Sequence, residues 1–439
     1  MDETTPHELP SKDHPLSPGL VSVARALEVG LERPATVFLS YAHEDTQAVK
    51  QLQLQLNLRG VRAWRDVTDL LLGAATRQEI AQAIEREADA LALYITPAYL
   101  ASEFIWEVEV PAALRRIERE PGFFLVPILQ GLSFHDLRQF CAERKLPDLS
   151  EFNGVLLPGV SSEASQGMVS GEHVLGEIAR RLLKAALALR LRRVQAERDY
   201  EPWLCVKTFA YEPPAASLDL DVNWIELVSE KNRLPTPEEW EHLLRPALLD
   251  VKQAISEKIP SRRLHLCVQS ILPVAFALGF TFPESAHFTL FLEGRHGTWS
   301  TAEKPRRTAP LRCVSSPNGE GDSRVGVVEL AISRLTERAV AEALPLLGLA
   351  PGQHLRFELP QGSSQEGVKD AVHALAMARQ IGRACRELYD QQGVTQIHLF
   401  AALPAALGVL VGHYLSALCP ITLYEFSPAR GYQLVGTLH

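Results

Sequence analysis

The chain has no apolar run of eighteen residues or more, so no stretch of it reads as a membrane-spanning helix. Cysteine is scarce. Cys141, Cys205, Cys267, Cys313, Cys385 and Cys419 are spread over 439 residues, with no Cys-x-x-Cys pair. That spacing speaks against a disulfide framework or a zinc site and predicts buried, reduced thiols in a cytoplasmic protein. The fourteen histidines form no pair at metal-ligand spacing, and no metal is expected. Positive charge is also in deficit, at 44 Lys and Arg against 53 Asp and Glu, a net −9. Binding to long nucleic acid needs a basic footprint, so that partner class is not expected. A small nucleotide in a local pocket is compatible with this charge. Residues 1–18 are polar and lack the basic and apolar regions of a signal peptide. They read as a disordered arm, followed by a short helix over 20–31.

What the chain does have is alternation. At 439 residues, 46% of them hydrophobic, it is sized for two to three domains. Ala35–Tyr41 is a short apolar run that reads as a buried strand. Asp45 can cap a helix whose Val49, Leu52 and Leu56 share one face, and Arg59-Gly60 stops it. Val61–Trp64 reads as a second strand, Ile80, Ala83 and Ile84 as a second helix, and Ala90–Ile95 as a third strand. Ser102 can cap the helix that follows, which carries Trp106 and Glu109. Phe123–Leu129 is a fourth strand. Strands alternating with helices predict a parallel sheet covered on both faces, with ligands at the carboxyl ends of its strands.

Phe38-Leu39-Ser40-Tyr41 with Asp45, Trp64-Arg65-Asp66 ahead of a loop ending at Gly73, and Ser102 and Glu109 followed by Val-Pro keep this order along the chain. The set resembles a TIR domain over residues 34–150, of the bacterial kind that hydrolyses NAD. The resemblance implies a flavodoxin-like parallel-sheet domain in which a glutamate on the helix after the third strand is essential for cleaving the nicotinamide–ribose bond. Many relatives carry Trp-Cys at the positions of Phe104-Ile105 and place the glutamate four residues after the Trp, a count that here lands on Val108. The Glu-Val-Pro register selects Glu109, with Glu107 as the alternative. Ser40, Tyr41, Asp45, Trp64, Asp66 and Ser102 are the matching candidates for binding NAD. The chemistry suits a carboxylate, because nicotinamide leaves with oxocarbenium character on the ribose and a nearby anion can stabilise that charge. Trp64 and Tyr41 are equally readable as core aromatics, Asp45 as a helix cap and Asp66 as a turn former.

Residues 150–171 read as a surface loop, and His173–Glu197 as a strong helix that could join two domains rigidly. Its Arg190, Arg192, Arg193 and Arg198 read as a solvated face that favours the helix C-terminus. Strands follow at Trp203–Phe209 and Val222–Val228. Thr236-Pro237-Glu238-Glu239 is a capping box opening a helix that runs to Ile259. Then the sequence echoes itself. Arg263-Leu264-His265-Leu266, a helix at 274–279 and Phe288–Phe291 are matched by Gln396-Ile397-His398-Leu399, a helix at 405–418 and Ile421–Tyr424. His398 lies 133 positions after His265, and Tyr424 lies 133 after Phe291. That offset suggests a duplicated α/β unit. The second unit fills in with a strand at 325–332, a helix at 336–347, a strand at 355–359 and a long helix at 366–392.

With His398-Leu399-Phe400-Ala401-Ala402-Leu403-Pro404, Gly408, Gly412 and the final Leu423-Tyr424-Glu425-Phe426, this half resembles the SAVED domain, a fused pair of CARF-like (Rossmann-like) units. The resemblance implies a sensor of cyclic oligonucleotides made by a partner nucleotidyltransferase during phage infection. The expected organisation is an arm at 1–33, the TIR domain at 34–150, a linker and helix at 151–199, and the sensor at 200–439, divided into 200–310 and 311–439. Two such units facing one another would form a crevice at the carboxyl ends of their strands, lined by loops at 269–270, 401–403 and 294–299. On chemistry, Lys207, Arg295 and Arg430 are candidates for phosphates and Trp299, Phe400 and Tyr424 for bases, with Ser270 and Leu403 lining the crevice. Each is equally readable as a surface charge or a core side chain.

Together the two resemblances imply an α/β antiphage effector. It would bind a cyclic di- or trinucleotide, assemble into a homo-oligomer or filament, and cleave NAD to nicotinamide and ADP-ribose. NAD is then a substrate and the cyclic nucleotide an activator, with no cofactor. A TIR scaffold without catalysis and a TIR that makes a cyclised ADP-ribose signal remain the alternatives. Leu70-Leu71-Leu72, in the loop Asp66–Gly73, is the expected contact for a neighbouring TIR.

Overall fold

A computed structural model describes residues 33–65, 76–157, 171–210, 218–229, 233–294, 297–304, 310–316 and 321–439. The expected helix at 20–31, the loop Asp66–Gly73 with its three leucines, and Arg295 lie outside those residues. In chain order the first unit runs β1 (Thr36–Tyr41), α1 (Thr46–Leu58), β2 (Arg62–Trp64), α2 (Thr76–Gln82, extended by a π turn Ala83–Glu87) and β3 (Ala90–Ile95). It continues with α3 (Pro97–Ala101), α4 (a π turn Ile105–Glu109 leading into Val110–Arg119), β4 (Phe124–Leu129), α5 (Phe134–Arg144) and β5 (Val155–Leu156). The strands pair in the order β2-β1-β3-β4-β5, all parallel. Every residue of β1 and β3 is buried, as apolar runs in a two-sided parallel sheet must be. Val49, Leu52 and Leu56 of α1 cover one face; Ile80 and Ile84 of α2 and Ile105, Val108 and Val110 of α4 cover the other. Strand order reverses between β1 and β3, which places the ligand-binding crevice at their carboxyl ends.

Two local expectations are corrected. Asp45 precedes α1, but its side chain does not cap that helix. The chain after β3 breaks twice. Thr96 caps α3, with its side chain accepting the Tyr99 N–H at 3.2 Å, and Ser102, in an extended conformation, both ends that helix and stands directly before the next, whose helical residues begin at Glu103. Glu109 thus lies on a π turn. Pro111 explains the turn: it has no N–H to donate, and its ring clashes with a carbonyl one α-turn back, so the helix takes one extra residue. The same device recurs later, where a π turn Trp240–Leu244 precedes Pro246. Val155 and Leu156, expected in a surface loop, form the edge strand β5.

The connecting helix α6 (Gly171–Arg193) is where charge reading failed. Arg190 is 1% exposed, and its Nε donates to Asp219 at 3.0 Å. Arg193 pairs with Asp89 and Glu120, and Arg192 donates to the carbonyls of Pro121 and Gly122. Arg190 and Arg193 are thus joints and not a solvated face, whereas Arg192 and Arg198 are exposed as expected. Leu182 and Leu183 of this helix share a core with Val37 and Leu52 on one side and Val206 and Val222 on the other.

The C-terminal half contains β6 (Trp203–Lys207), β7 (Leu220–Asn223), α7 (Pro237–Glu239, the π turn and Arg245–Lys258), β8 (Arg263–Gln269), α8 (Leu272–Thr281), β9 (Thr289–Gly294) and β10 (Gly297–Ser300). Its second unit contains β11 (Arg312–Ser315), β12 (Asp322–Ala331), α9 (Glu337–Leu346), β13 (Pro351–Glu358) and α10 (Ala371–Gln392). The chain ends with β14 (Gln396–Ala402), α11 (Ala405–His413), β15 (Ile421–Ser427) and β16 (Gly431–Leu438). The capping box at Thr236 forms both reciprocal hydrogen bonds. The strand expected at 222–228 is displaced to 220–223, and the loop expected at 294–299 is largely the β9–β10 hairpin. Sheet orders are β10-β9-β8-β6-β7 and β11-β13-β12-β14-β15-β16. Matching β9-β8-β6-β7 to β15-β14-β12-β13 makes the duplication explicit.

The two units meet where α8 crosses α11. A Cβ added to Gly279 would overlap the Val409 carbonyl oxygen, and one added to Gly412 would overlap that of Phe276. Gly279 and Gly412 are 133 apart, as are Phe276 and Val409. The contact is therefore reciprocal about a pseudo-two-fold axis, and only glycine lets the backbones approach so closely.

Burial holds His398 and His413 at about 4, below an ordinary value of 6.5. The unfolded chain therefore binds more protons between those values, so the stability they hold is present above about pH 6.5 and lost as pH falls toward about 4. Asp89, pushed up to about 6 mainly by burial, acts in the opposite sense over part of that range. The unfolding midpoint of His413→Asn should accordingly fall less than that of the unsubstituted chain between about pH 7 and about pH 5. Parallel falls would assign the pH dependence to other groups.

Candidate active site and sensor crevice

Thr96, at the carboxyl end of β3, does two jobs. Besides capping α3, its hydroxyl donates to Asp45 at 2.6 Å, tying the loop after β1 to the loop after β3. The Tyr99 hydroxyl reaches Ser40 Oγ in β1 at 3.1 Å. The Trp106 indole donates to the Leu100 carbonyl at 3.2 Å, and its ring meets Tyr99 edge-on with centroids 6.1 Å apart. These contacts fix the turn between α3 and α4 and set Glu109 against the β1 end.

The two candidate carboxylates separate clearly. Glu109 is 5% exposed, whereas the Glu107 side chain is 55% exposed and pairs with Arg77 at 2.9 Å. Burial, with the nearby Glu109 charge as the next cause, pushes the Tyr99 phenol far above its ordinary range. Glu109 is thus a buried carboxylate near Tyr99, whose hydroxyl reaches Ser40 in β1, the strand where the sheet order reverses. Burial also raises Asp45, and the Thr96 hydrogen bond opposes it.

The other TIR candidates take more structural positions. Trp64 is buried and stacks on Phe38 with centroids 4.7 Å apart, so one ring face is already covered. Tyr41 is buried, Ser102 is half-buried at the end of α3, and Asp66 lies outside the described residues.

In the sensor the crevice forms where the two units' strand ends converge. The Glu425 carboxylate, at the end of β15, accepts the Leu272 N–H at 2.9 Å and so caps α8 of the other unit. Thr208 Oγ1, just past β6, accepts the Ile271 N–H at 3.1 Å. Between them Ser270 Oγ is buried without a hydrogen-bond partner among the described residues. A Cβ on Gly408 would touch Ala275 at 3.3 Å, Leu403 at 3.5 Å and Leu272 at 3.7 Å, which puts an apolar floor on the pseudo-two-fold axis. On the rim, the exposed Arg334 lies over the Phe426 ring at 4.3 Å. Its charge acts on Glu425 against the raising effect of burial.

Ser270 and Leu403 are therefore brought together at the crevice. The other sensor candidates are not. Phe400 is fully buried and stacks on Tyr424 at 4.4 Å; the Tyr424 hydroxyl in turn meets His398 Nδ1 at 2.8 Å. Trp299 is 7% exposed and sits in the core opposite Leu292. Neither Phe400 nor Trp299 offers a base an open face. Lys207 is paired with Asp221 at 2.6 Å, and Arg430 is exposed in the turn between β15 and β16. Arg334, Glu425, Phe426 and Thr208 were not singled out as site residues from sequence. Phe426 and Glu425 fell within a quoted motif, but nothing local marks Arg334, which reaches the rim only through the β12–α9 connection.

Residues 37–152 match the family model described as the TIR domain, and residues 248–437 match that of the SMODS-associated and fused to various effectors sensor domain, SAVED. A curated protein, CD-NTase-associated protein 4 of Enterobacter hormaechei subsp. hoffmannii (strain UCI 50), is 24% identical over 208 residues. The match covers 46% of this chain and 40% of that protein, so well under half of the relative's length is spanned. Among solved structures, the Acinetobacter baumannii Cap4 SAVED/CARF-domain receptor with the cyclic trinucleotide 3′3′3′-cAAA aligns at TM-score 0.47 and 14% identity, covering 79% of this chain and 87% of its own. The Moraxella osloensis Cap4 receptor aligns at TM-score 0.43 and 15% identity over 91% and 99%.

Proposed function

We propose that this chain, which joins a TIR domain to a SAVED sensor domain, is a cytoplasmic antiphage effector of the CBASS-associated TIR–SAVED kind whose TIR domain cleaves NAD once the sensor binds a cyclic oligonucleotide. The observation that carries the catalytic half is Glu109, a buried carboxylate on a π turn, near enough for its charge to act on Tyr99, whose hydroxyl reaches Ser40 of β1. In NAD the C1′–N1 bond breaks and its electron pair leaves with nicotinamide, which becomes neutral. Positive charge then develops on the ribose. A carboxylate already stripped of water stabilises that charge without first reorganising solvent. Water completes hydrolysis to ADP-ribose and a proton. A nucleophile within the same molecule would instead close a ring.

The sensing half rests on a crevice with an apolar floor, a buried Ser270 hydroxyl and a cationic Arg334 at the rim. Such a site suits a compact anion carrying bases. Calorimetry with 3′3′3′-cAAA and a panel of cyclic dinucleotides tests it. Arg334→Ala should weaken binding of the best ligand roughly ten- to hundredfold, as loss of a hydrogen bond to a charged group predicts. Arg430→Ala should leave it unchanged. Equal losses would move the phosphate contact away from the crevice, and no binding across the panel would remove the sensing assignment.

Activation by self-assembly completes the proposal. With saturating activator, NAD cleavage should then rise more steeply than linearly with protein concentration, and Leu71→Glu should reduce it more than it reduces ligand binding. An active species that stays monomeric would contradict assembly.

A further inference from the structure

We propose that the TIR domain never undocks from the sensor: a joint built on Arg190, Asp219 and Trp224 makes the TIR domain and the sensor's first unit one folding and moving body, at rest and when active. The inference rests on the function proposed above and specifies how that activity is regulated. Backbone hydrogen bonds cross the joint directly. Ala35 donates from the edge of β1 to the Asp219 carbonyl at 2.9 Å, and Asp221 donates from β7 to the Gly60 carbonyl at 2.8 Å. The fully buried Trp224 sends its indole N–H to the Leu58 carbonyl at the end of α1, at 3.2 Å.

The charges at the joint are closed off as well. Arg190 donates to the Asp219 carboxylate at 3.0 Å and to the Leu218 carbonyl at 2.8 Å, and it also bonds the Arg33 carbonyl on the TIR side. Tyr200 gives Asp219 a further hydrogen bond at 2.8 Å. Nearby, Arg59 of the TIR domain, 4% exposed, donates to Asp250 of α7 at 2.8 Å. The apolar core does not stop at the boundary. It runs from Val37 and Leu52 through Leu182 and Leu183 of α6 to Val206, Val222 and Trp224.

Domains that swing apart meet across polar, wet surfaces on linkers. Here separation would expose a shared core and strip a buried guanidinium of its carboxylate, the costly way to break a buried pair. The next boundary is equally closed, since Gly279 and Gly412 seat α8 and α11 backbone to backbone. Neither boundary has the character of a hinge. A ligand bound by the sensor therefore acts with this joint intact, and not through a TIR domain set free within its own chain.

Hydrogen exchange on the full chain, with and without 3′3′3′-cAAA and with nicotinamide release followed in the same samples, tests this. The Ala35 and Asp221 amides should exchange as slowly as those of β3 and β8, and the cyclic trinucleotide should not speed them. Asp219→Asn should accelerate exchange in β3 of the TIR domain and β8 of the sensor together, on the order of a hundredfold. Should that variant not fold, Trp224→Phe keeps one aromatic ring while it deletes the indole hydrogen bond and leaves a small cavity, and it should produce a change that is again shared by both strands. The proposal is overturned if the joint amides exchange faster than β3 at rest, if they accelerate when NAD cleavage switches on, or if substitutions at the joint speed the sensor and leave the TIR strands untouched. Absence of nicotinamide release counts against the NAD-cleaving reading alone, because the exchange rates judge the joint in either case.

Discussion

Glu109→Gln is expected to slow nicotinamide release by about 10²–10³-fold, the usual cost of removing one preorganised electrostatic group, while affinity for the activator stays the same. The substitution keeps volume and removes charge from a side chain that is 5% exposed. Its effect should therefore be on the rate and not on folding. Glu107→Gln is the matched control. Glu107 lies in the same π turn but faces solvent and pairs with Arg77 at the surface, an interaction worth little. Kinetics of the two variants, with their thermal midpoints, decide the assignment. A rate loss at Glu107 and none at Glu109 would reverse it. A fall in midpoint that accounts for the loss at Glu109 would make its role structural.

The second large effect is expected at the helix crossing. Gly279→Ala and Gly412→Ala should each destabilise the sensor by at least about 1–3 kcal/mol, because the added methyl meets a carbonyl of the opposing helix and backbone cannot rotate out of the way. Both should also weaken activator binding, since α8 and α11 carry the crevice floor. Gly408→Ala, one turn earlier on α11, meets only side chains at 3.3 Å or more and should be tolerated far better. Urea midpoints of the three variants test this order. Equal midpoints for Gly412→Ala and the unsubstituted chain would contradict so close a crossing.

How much of this was legible in the sequence depended on range. Strands buried on both faces, such as Ala90–Ile95, announce themselves as apolar runs and fall where expected. The internal echo held because the 133-residue spacing repeats in β8 and β14 and again in the paired glycines. Short-range chemistry was less secure. Asp45 has the composition of a helix cap but answers to Thr96, fifty-one residues away, and nothing marked the short helix that ends at Ser102 just before the expected one opens. Arg190 showed the widest gap. A basic run at a helix end looks solvated until a carboxylate from another domain covers it, and nothing near Arg190 in sequence names Asp219. Aromatics failed for a similar reason. Trp299 and Phe400 suit a base in chemistry, yet Trp299 turns inward from an edge strand and Phe400 lies in a central strand buried on both faces. Arg334 and Glu425 form the crevice only when two units face each other, a relation no single stretch encodes.

The most direct test of the whole account is release of nicotinamide from NAD by the purified full chain, measured with and without a cyclic trinucleotide such as 3′3′3′-cAAA and, should that ligand not bind, with whichever cyclic oligonucleotide calorimetry selects. The account predicts negligible release from the chain alone, rapid release once the bound activator is present, and none from Glu109→Gln under the same conditions. Tight binding of an activator with no nicotinamide released at any protein concentration would contradict it, and would leave the TIR domain a scaffold in which Glu109 is only a buried carboxylate.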